Sequence, residues 1–200
     1  FLGLTATQMN ARDALDLDLA DRFLLDTQQE DLIDGLVQLN WREQADVQLH
    51  SLLQALEHEA RGEMPEAQLL PRRARLDAVL DCANIAEAWN ALTALANDED
   101  ALIARGAKTL AAGCPLTAHL VWEQIRRARH LSTAEVFRME YAMSLNCCRH
   151  PEFPEGVRAR LIDKDNTPHW HWPDIAAIPD AVVNAHFDAT WEGEHPLADL

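Results

Sequence analysis

Apolar residues recur along this chain every three to four positions, and polar capping residues separate the runs. That period predicts helices almost throughout. Asn10 caps a short helix through Leu17. Thr27 with Glu30 has capping-box spacing and opens a helix carrying Leu32, Ile33, Leu36 and Leu39 on one face. Asp46 precedes a helix with Leu49, Leu52, Leu53 and Leu56 in register. Gly62 then stands where a left-handed C-terminal residue is wanted. The proline- and arginine-rich stretch from Met64 to Arg75 reads as a connector, and Leu76, Val79 and Leu80 give a short helix. Asn84 with Glu87 opens a helix through Ala96 that buries Ile85, Trp89, Leu92 and Leu95. Asp98 starts the next helix and Gly113 ends it. Cys114-Pro115 restarts the chain with proline at the first helical position, where its missing N–H costs nothing. That helix carries Leu120, Val121, Ile125 and Ala128. Ser132 with Glu135 opens another to about Cys148, Pro154 starts one through Asp163, and Pro179 starts a last one through Phe187. Only Asp21 to Leu25 could be a strand, and alone it is too short for a sheet. The expectation is an all-α fold of packed antiparallel helices with short joints.

Composition narrows the function classes. A chain of 200 residues can bury a sizeable core. Its net charge of -16 argues against nucleic acid as a partner and against an anionic membrane surface. No apolar run approaches the roughly 20 residues needed to cross a bilayer, and no signal-peptide pattern opens the chain. The start at Phe1, Leu2, Gly3 and Leu4 is apolar and lacks Met, which reads as a cut out of a longer protein. Cys82, Cys114, Cys147 and Cys148 read as reduced thiols of a cytoplasmic protein. An anionic ligand needs local cations, and the only lysines are Lys108 and Lys164.

One long stretch has a recognisable shape. From Met139 to Trp170 the chain reads Met139-Glu140-Tyr141, then Glu152-Phe153, then Glu155-Gly156-Val157-Arg158-Ala159, then Leu161-Ile162-Asp163-Lys164-Asp165, then Pro168 and Trp170. This resembles the C-terminal signature of the 3-hydroxyisobutyryl-CoA hydrolases, a branch of the crotonase (enoyl-CoA hydratase/isomerase) superfamily. A second stretch, Leu4-Thr5-Ala6, Asp13-Ala14 and Leu19-Ala20-Asp21, is similar to the segment that leaves the crotonase core. Some positions depart from the pattern. Ala6 and Asp18 stand where glycine is usual, Ala142 replaces an arginine, and Arg160 replaces a small apolar residue.

The resemblance implies the helical C-terminal region of a crotonase-like protein, with the α/β spiral of the core absent. Residues 1–25 would end that core, 26–71 would form a helical hairpin and connector, and 72–200 the C-terminal helical domain. The implied chemistry is hydrolysis of an acyl-CoA thioester, with coenzyme A part of the substrate and no separate cofactor. The implied partners are the acyl-CoA, the chain's own N-terminal crotonase core and a second copy in a homo-oligomer. The family places its oxyanion hole and acidic residues in that core. The seven glycines here are scattered singly, so no Gly-rich loop offers paired backbone donors. No catalytic residue is therefore assigned to this chain.

The resemblance gives Lys164 as a contact to the CoA phosphates, with Arg160 one turn earlier on the same helix face. The plainer alternative is a solvated face with Lys164 neutralised by Asp163 and Asp165. Glu140 shares a face with Val136 and Phe137, so it should be partly buried and paired, and Arg158 is the chosen partner. His169, His171, Cys147, Cys148 and His150 lack the tight local spacing of a ligand set, so no metal is assigned. The six tryptophans read as packing residues. Two functions stay open beside the hydrolase: part of a hydratase or isomerase of the same fold, and a stand-alone helical interaction module.

Overall fold

The computed structural model describes residues 1–188, 191 and 193–200. Among them there are helices and turns and no strand. The helices are α1 (Leu2–Thr5), α2 (Ala11–Asp16), α3 (Gln29–Gln38), α4 (Ala45–Ala60), α5 (Arg73–Val79), α6 (Ile85–Thr93), α7 (Ala101–Ala112), α8 (Pro115–Ala128), α9 (Thr133–Arg149), α10 (Glu152–Val157) and α11 (Asp180–Ala185). They fall into two compact units, residues 1–7 with 78–200, and residues 8–77. The division falls at 7/8 and 77/78.

In the unit of residues 8–77, polar contacts do much of the positioning. Asn10 caps α2 by accepting from the Asp13 amide at 2.9 Å, and the Asp13 carboxylate accepts from the Asn10 amide at 3.2 Å. Asp13 is fully buried, and its Oδ1 also accepts from the Gln68 and Leu69 amides, both at 2.7 Å. One carboxylate thus ties α2 to a segment more than fifty residues away. The capping box expected at Thr27 does not form. Residues Asp26–Gln28 make a 3₁₀ turn instead. Gln28 takes over, because its longer side chain accepts from the Leu25 amide at 2.9 Å and also donates to the Leu56 carbonyl at 2.9 Å.

Helix α3 packs on α4 through Gly35, where a Cβ would lie 2.6 Å from a Leu52 methyl. It buries no residue fully, and Ile33, expected on its inner face, is 51% exposed. Trp41 is also exposed, contrary to a packing role, with its indole donating to the Leu36 carbonyl at 3.1 Å. Gly62 lies in a 3₁₀ turn, Arg61–Glu63, and is not left-handed.

The other unit has an apolar core in two clusters. Ile85, Ala88, Leu92, Leu110, Ala118 and Ile175 form one buried cluster, and Leu116, Leu120, Ile178 and Val183 another. Helix α8 contributes to both, so it is the spine of the unit. Each fully buried leucine contributes roughly 2 kcal/mol of transfer free energy. Helix α7 starts two residues later than expected. Asp100 is its cap, accepting from the Leu102 and Ile103 amides at 3.0 and 3.3 Å, while Asp98 accepts from the Asp100 amide. Gly106 lets the first segment lie against α7, because a Cβ there would meet Thr7 Oγ1 at 2.9 Å and the Phe1 ring at 3.0 Å. The Ser132–Glu135 capping box forms in both directions and opens α9.

Ala6 and Asp18 adopt left-handed φ values of 50° and 55°. These are the two positions at which the sequence departs from a glycine in the family pattern. The backbone conformation is kept although the residue best suited to it is gone.

Candidate functional site

Past α9 the chain turns sharply at His150 and Pro151, and α10 follows. Its last turn widens into a π turn, Arg158–Ile162, closed by the Asp163 amide donating to the Arg158 carbonyl at 2.8 Å. Arg158 organises this turn. Its guanidinium donates to Glu155 at 2.8 and 2.9 Å, to Asp163 and Asp165 at 2.7 Å each, and to the Thr167 carbonyl at 3.1 Å. Hydrogen bonds from Arg158 and then from the His169 amide hold the Glu155 carboxyl at about 2. Arg158, then the Thr167 amide, hold Asp165 at about 2. The arginine itself is pushed up, first by Glu155 and then by the two aspartates.

This corrects two expectations. Arg158 does not pair with Glu140, which is half-buried and accepts from Gln124 of α8 at 2.7 Å. The reason is chain proximity. Four acceptor groups within nine residues of Arg158 close small local loops around it, at less entropic cost than a distant pairing. The carboxylates of Asp163 and Asp165, which flank Lys164, are both paired with Arg158. Lys164 has a left-handed φ of 56°, beyond the end of the π turn, so it shares no helix face with Arg160. Lys164 stands exposed, whereas Arg160 borders two concavities.

The first concavity is a cavity of about 480 Å³ between the start of α8, the end of α9, α10 and the π turn. Its walls are Cys114, Leu116, Leu120, Cys147, Phe153, Val157, Leu161 and Trp170, with Thr117, His150, Glu152, Arg160 and His186 as its polar members. Gly156 lets the Trp170 ring close the wall, since a Cβ there would sit 3.4 Å from it. The volume falls within the ~300–1,000 Å³ of small-molecule sites. Burial pushes the Cys114 thiol up, and pushes Cys147 up with help from Cys148 and Cys114. Both are neutral thiols and weak nucleophiles. Glu152 is buried and accepts from the His171 and Trp172 amides at 3.2 Å each, so it pins the segment after the π turn. His169 is exposed, and its amide donates to Glu155 at 2.6 Å. Among the described residues, no group of three or more His, Cys, Asp and Glu is placed to hold a metal ion.

The second concavity is an open groove on α7, where Arg105 and Lys108 lie one turn apart and Arg160 reaches in from the π turn. Asp98 and Glu99 border it too. Arg160 is therefore the residue at which an apolar cavity meets a cation-bearing groove. Sequence reading missed Arg105 and His186, because each comes from a different element and no local spacing connects them.

The sequence profile of the enoyl-CoA hydratase/isomerase family matches residues 1–187. The chain belongs to this family. A 3-hydroxyisobutyryl-CoA hydrolase, mitochondrial, from Danio rerio is 30% identical over 198 residues, covering 98% of this chain and 50% of the relative. Its Homo sapiens counterpart is 25% identical over 187 residues, covering 94% of this chain and 47% of the relative. Among solved structures, an enoyl-CoA hydratase from Rhodobacter sphaeroides 2.4.1 is 26% identical with a TM-score of 0.71, covering 93% of this chain and 50% of that one. The family chain thus spans about half the length of the curated relatives it matches. The crotonase resemblance read from Met139 to Trp170 is borne out, as is the helical character of this part. The cytoplasmic expectation is overturned. The hydrolases it resembles are mitochondrial by name, and reading the cysteines as thiols does not single out the cytoplasm.

Proposed function

We propose that this chain is the helical part of an acyl-CoA thioester hydrolase acting on a short-chain β-hydroxyacyl-CoA, as in valine breakdown, and that it binds substrate without breaking the thioester. The observation that carries the reading is the match, over nearly the whole chain, to 3-hydroxyisobutyryl-CoA hydrolases. The site supports it. The acyl end of the thioester enters the apolar cavity, and the anionic end of coenzyme A lies over Arg160 towards Arg105 and Lys108, with Lys164 a further cation beyond the turn. No cofactor is needed besides the thioester. The reaction adds water across the C–S bond, giving free CoA thiol and a carboxylic acid. That step needs a nucleophile or base and an oxyanion hole. The cavity offers neutral thiols, a glutamate engaged by two backbone amides and the rings of His150 and His186, while the family's oxyanion hole lies in its core. The catalytic groups accordingly belong to the family's core, which is this chain's partner, with a second copy completing a homo-oligomer.

The solved enoyl-CoA hydratase gives a second reading, in which the same cavity serves hydration of a double bond. Calorimetry with butyryl-CoA and a free-thiol assay test the proposal together. The chain should bind butyryl-CoA, Arg160→Glu should weaken that binding about tenfold, and no CoA should be released. Absence of binding would remove the substrate role. Release of CoA at the rate of a full-length hydrolase would remove the claim that catalysis lies elsewhere.

A further inference from the structure

The polar end of the cavity holds two histidines whose hydrogen bonds set complementary tautomers. His186 is buried, and its Nδ1 lies 2.8 Å from the Val182 carbonyl oxygen. A carbonyl only accepts, so Nδ1 carries a proton, and in the neutral ring Nε2 is an acceptor. His150 is the reverse. Its Nδ1 accepts from the Glu152 amide at 3.4 Å, so in the neutral ring Nε2 carries the proton and is a donor. The two rings are 5.1 Å apart between centroids and tilted by 57°. They do not hydrogen-bond each other, and both line the cavity. In their neutral forms the two neighbouring rings offer one Nε2–H donor and one Nε2 acceptor, in a cavity whose walls are mostly apolar.

We infer that His150 and His186 are specificity-determining residues that recognise a hydroxyl group on the acyl chain of the bound thioester. The inference rests on the reading that the cavity takes that acyl group. A hydroxyl is the smallest group that matches both rings, accepting from His150 Nε2–H and donating to His186 Nε2. A carboxylate has no proton for His186, and an ammonium has no lone pair for His150. A plain alkyl chain would desolvate both nitrogens and replace neither bond, which is how a site rejects an analogue lacking a hydroxyl.

The surroundings favour the neutral form of His150. Burial, first, and then the neighbouring His186 lower the His150 pKa, and His171 adds to this. The Glu152 carboxylate opposes the shift and is engaged by the His171 and Trp172 amides. Cys114 and Cys147, the other titratable groups on that side, are neutral thiols, and Arg160 is the cation of the same cavity.

The test compares 3-hydroxybutyryl-CoA with butyryl-CoA, binding both to the full 200-residue chain by calorimetry. The hydroxylated thioester should bind about tenfold tighter, the size of one to two net hydrogen bonds. The ratio should fall to about one in His150→Phe and in His186→Phe. His186→Gln, whose amide oxygen can accept, should restore part of it. Long-range ¹H–¹⁵N NMR reads the tautomers without any ligand, and should find Nε2–H on His150 and Nδ1–H on His186. Equal affinity for the two thioesters, or reversed tautomers, would overturn the hydroxyl assignment and leave the acyl-CoA reading standing. Failure of both thioesters to bind would overturn both.

Discussion

Helices α3 and α7 are similar in length and carry four and three large aliphatic residues, yet α7 buries six residues and α3 buries none. The contrast extends to the units that contain them. Around α7 the chain is held by an apolar core. In residues 8–77 the buried anchors include two polar side chains, Asp13 and Gln28, each satisfied by several backbone groups. Apolar burial is non-directional and scales with area, so it stabilises wherever helices can be brought together. A buried carboxylate or amide stabilises only in one arrangement, because leaving its partners unmet costs the full desolvation. One unit is specified by quantity of contact, the other by geometry.

Substitutions should separate the two cases. Leu92→Ala removes a side chain with no exposed surface at the centre of the apolar core, and should cost about 4 kcal/mol in urea unfolding. Hydrogen exchange should accelerate in α6 and α7. Asp13→Ala strips the acceptor from the Asn10, Gln68 and Leu69 amides, and should cost about 3 kcal/mol. Its exchange signature should sit in α2 and the segment around Leu69. Equal loss of protection in α6 would break the distinction between the units.

A subtler effect belongs to the π turn. Glu155 and Asp165 are held at about 2, below their ordinary 4.5 and 3.8. The unfolded chain therefore binds more protons than the folded one across that window. Stability from these groups is fully present above about 4.5 and is lost as the pH falls towards 2. Arg158→Ala should flatten the pH dependence of stability between those limits, measured by thermal melts in a pH series. An unchanged slope would show that the guanidinium does not set these carboxylates. The smallest effects should be stabilising. Ala6→Gly and Asp18→Gly relieve left-handed backbone at φ 50° and 55°, and each should add about 0.5–1 kcal/mol. A loss on either change would mean that the side chain is anchored by something other than its backbone.

Some of this was readable from the chain alone. The caps at Asn10, Asn84 and Ser132, the proline start at Pro115 and the stop at Gly113 all depend on residues three or fewer positions apart, and all are where local chemistry puts them. Asp98 failed as a cap because Asp100 accepts from the first helical amides, and Thr27 failed because it lies inside a 3₁₀ turn. Neither outcome follows from capping-box spacing alone. The exposure of Ile33 was likewise beyond a periodicity argument, which says which residues share a face and not whether anything covers it.

The site shows the same boundary. The family signature from Met139 to Trp170 is a linear pattern, so the sequence by itself determined the family, the helical class and Arg160 as a candidate contact. The tertiary structure alone decided that Glu140 turns to Gln124 of α8 and that Arg160 lies beside Arg105 and Lys108 of α7. It also brought His150 beside His186 across thirty-six positions of chain. Side-chain pairings depend on distances of a few ångströms between elements, and short-range patterns of sequence carry no information about those distances until the helices have packed.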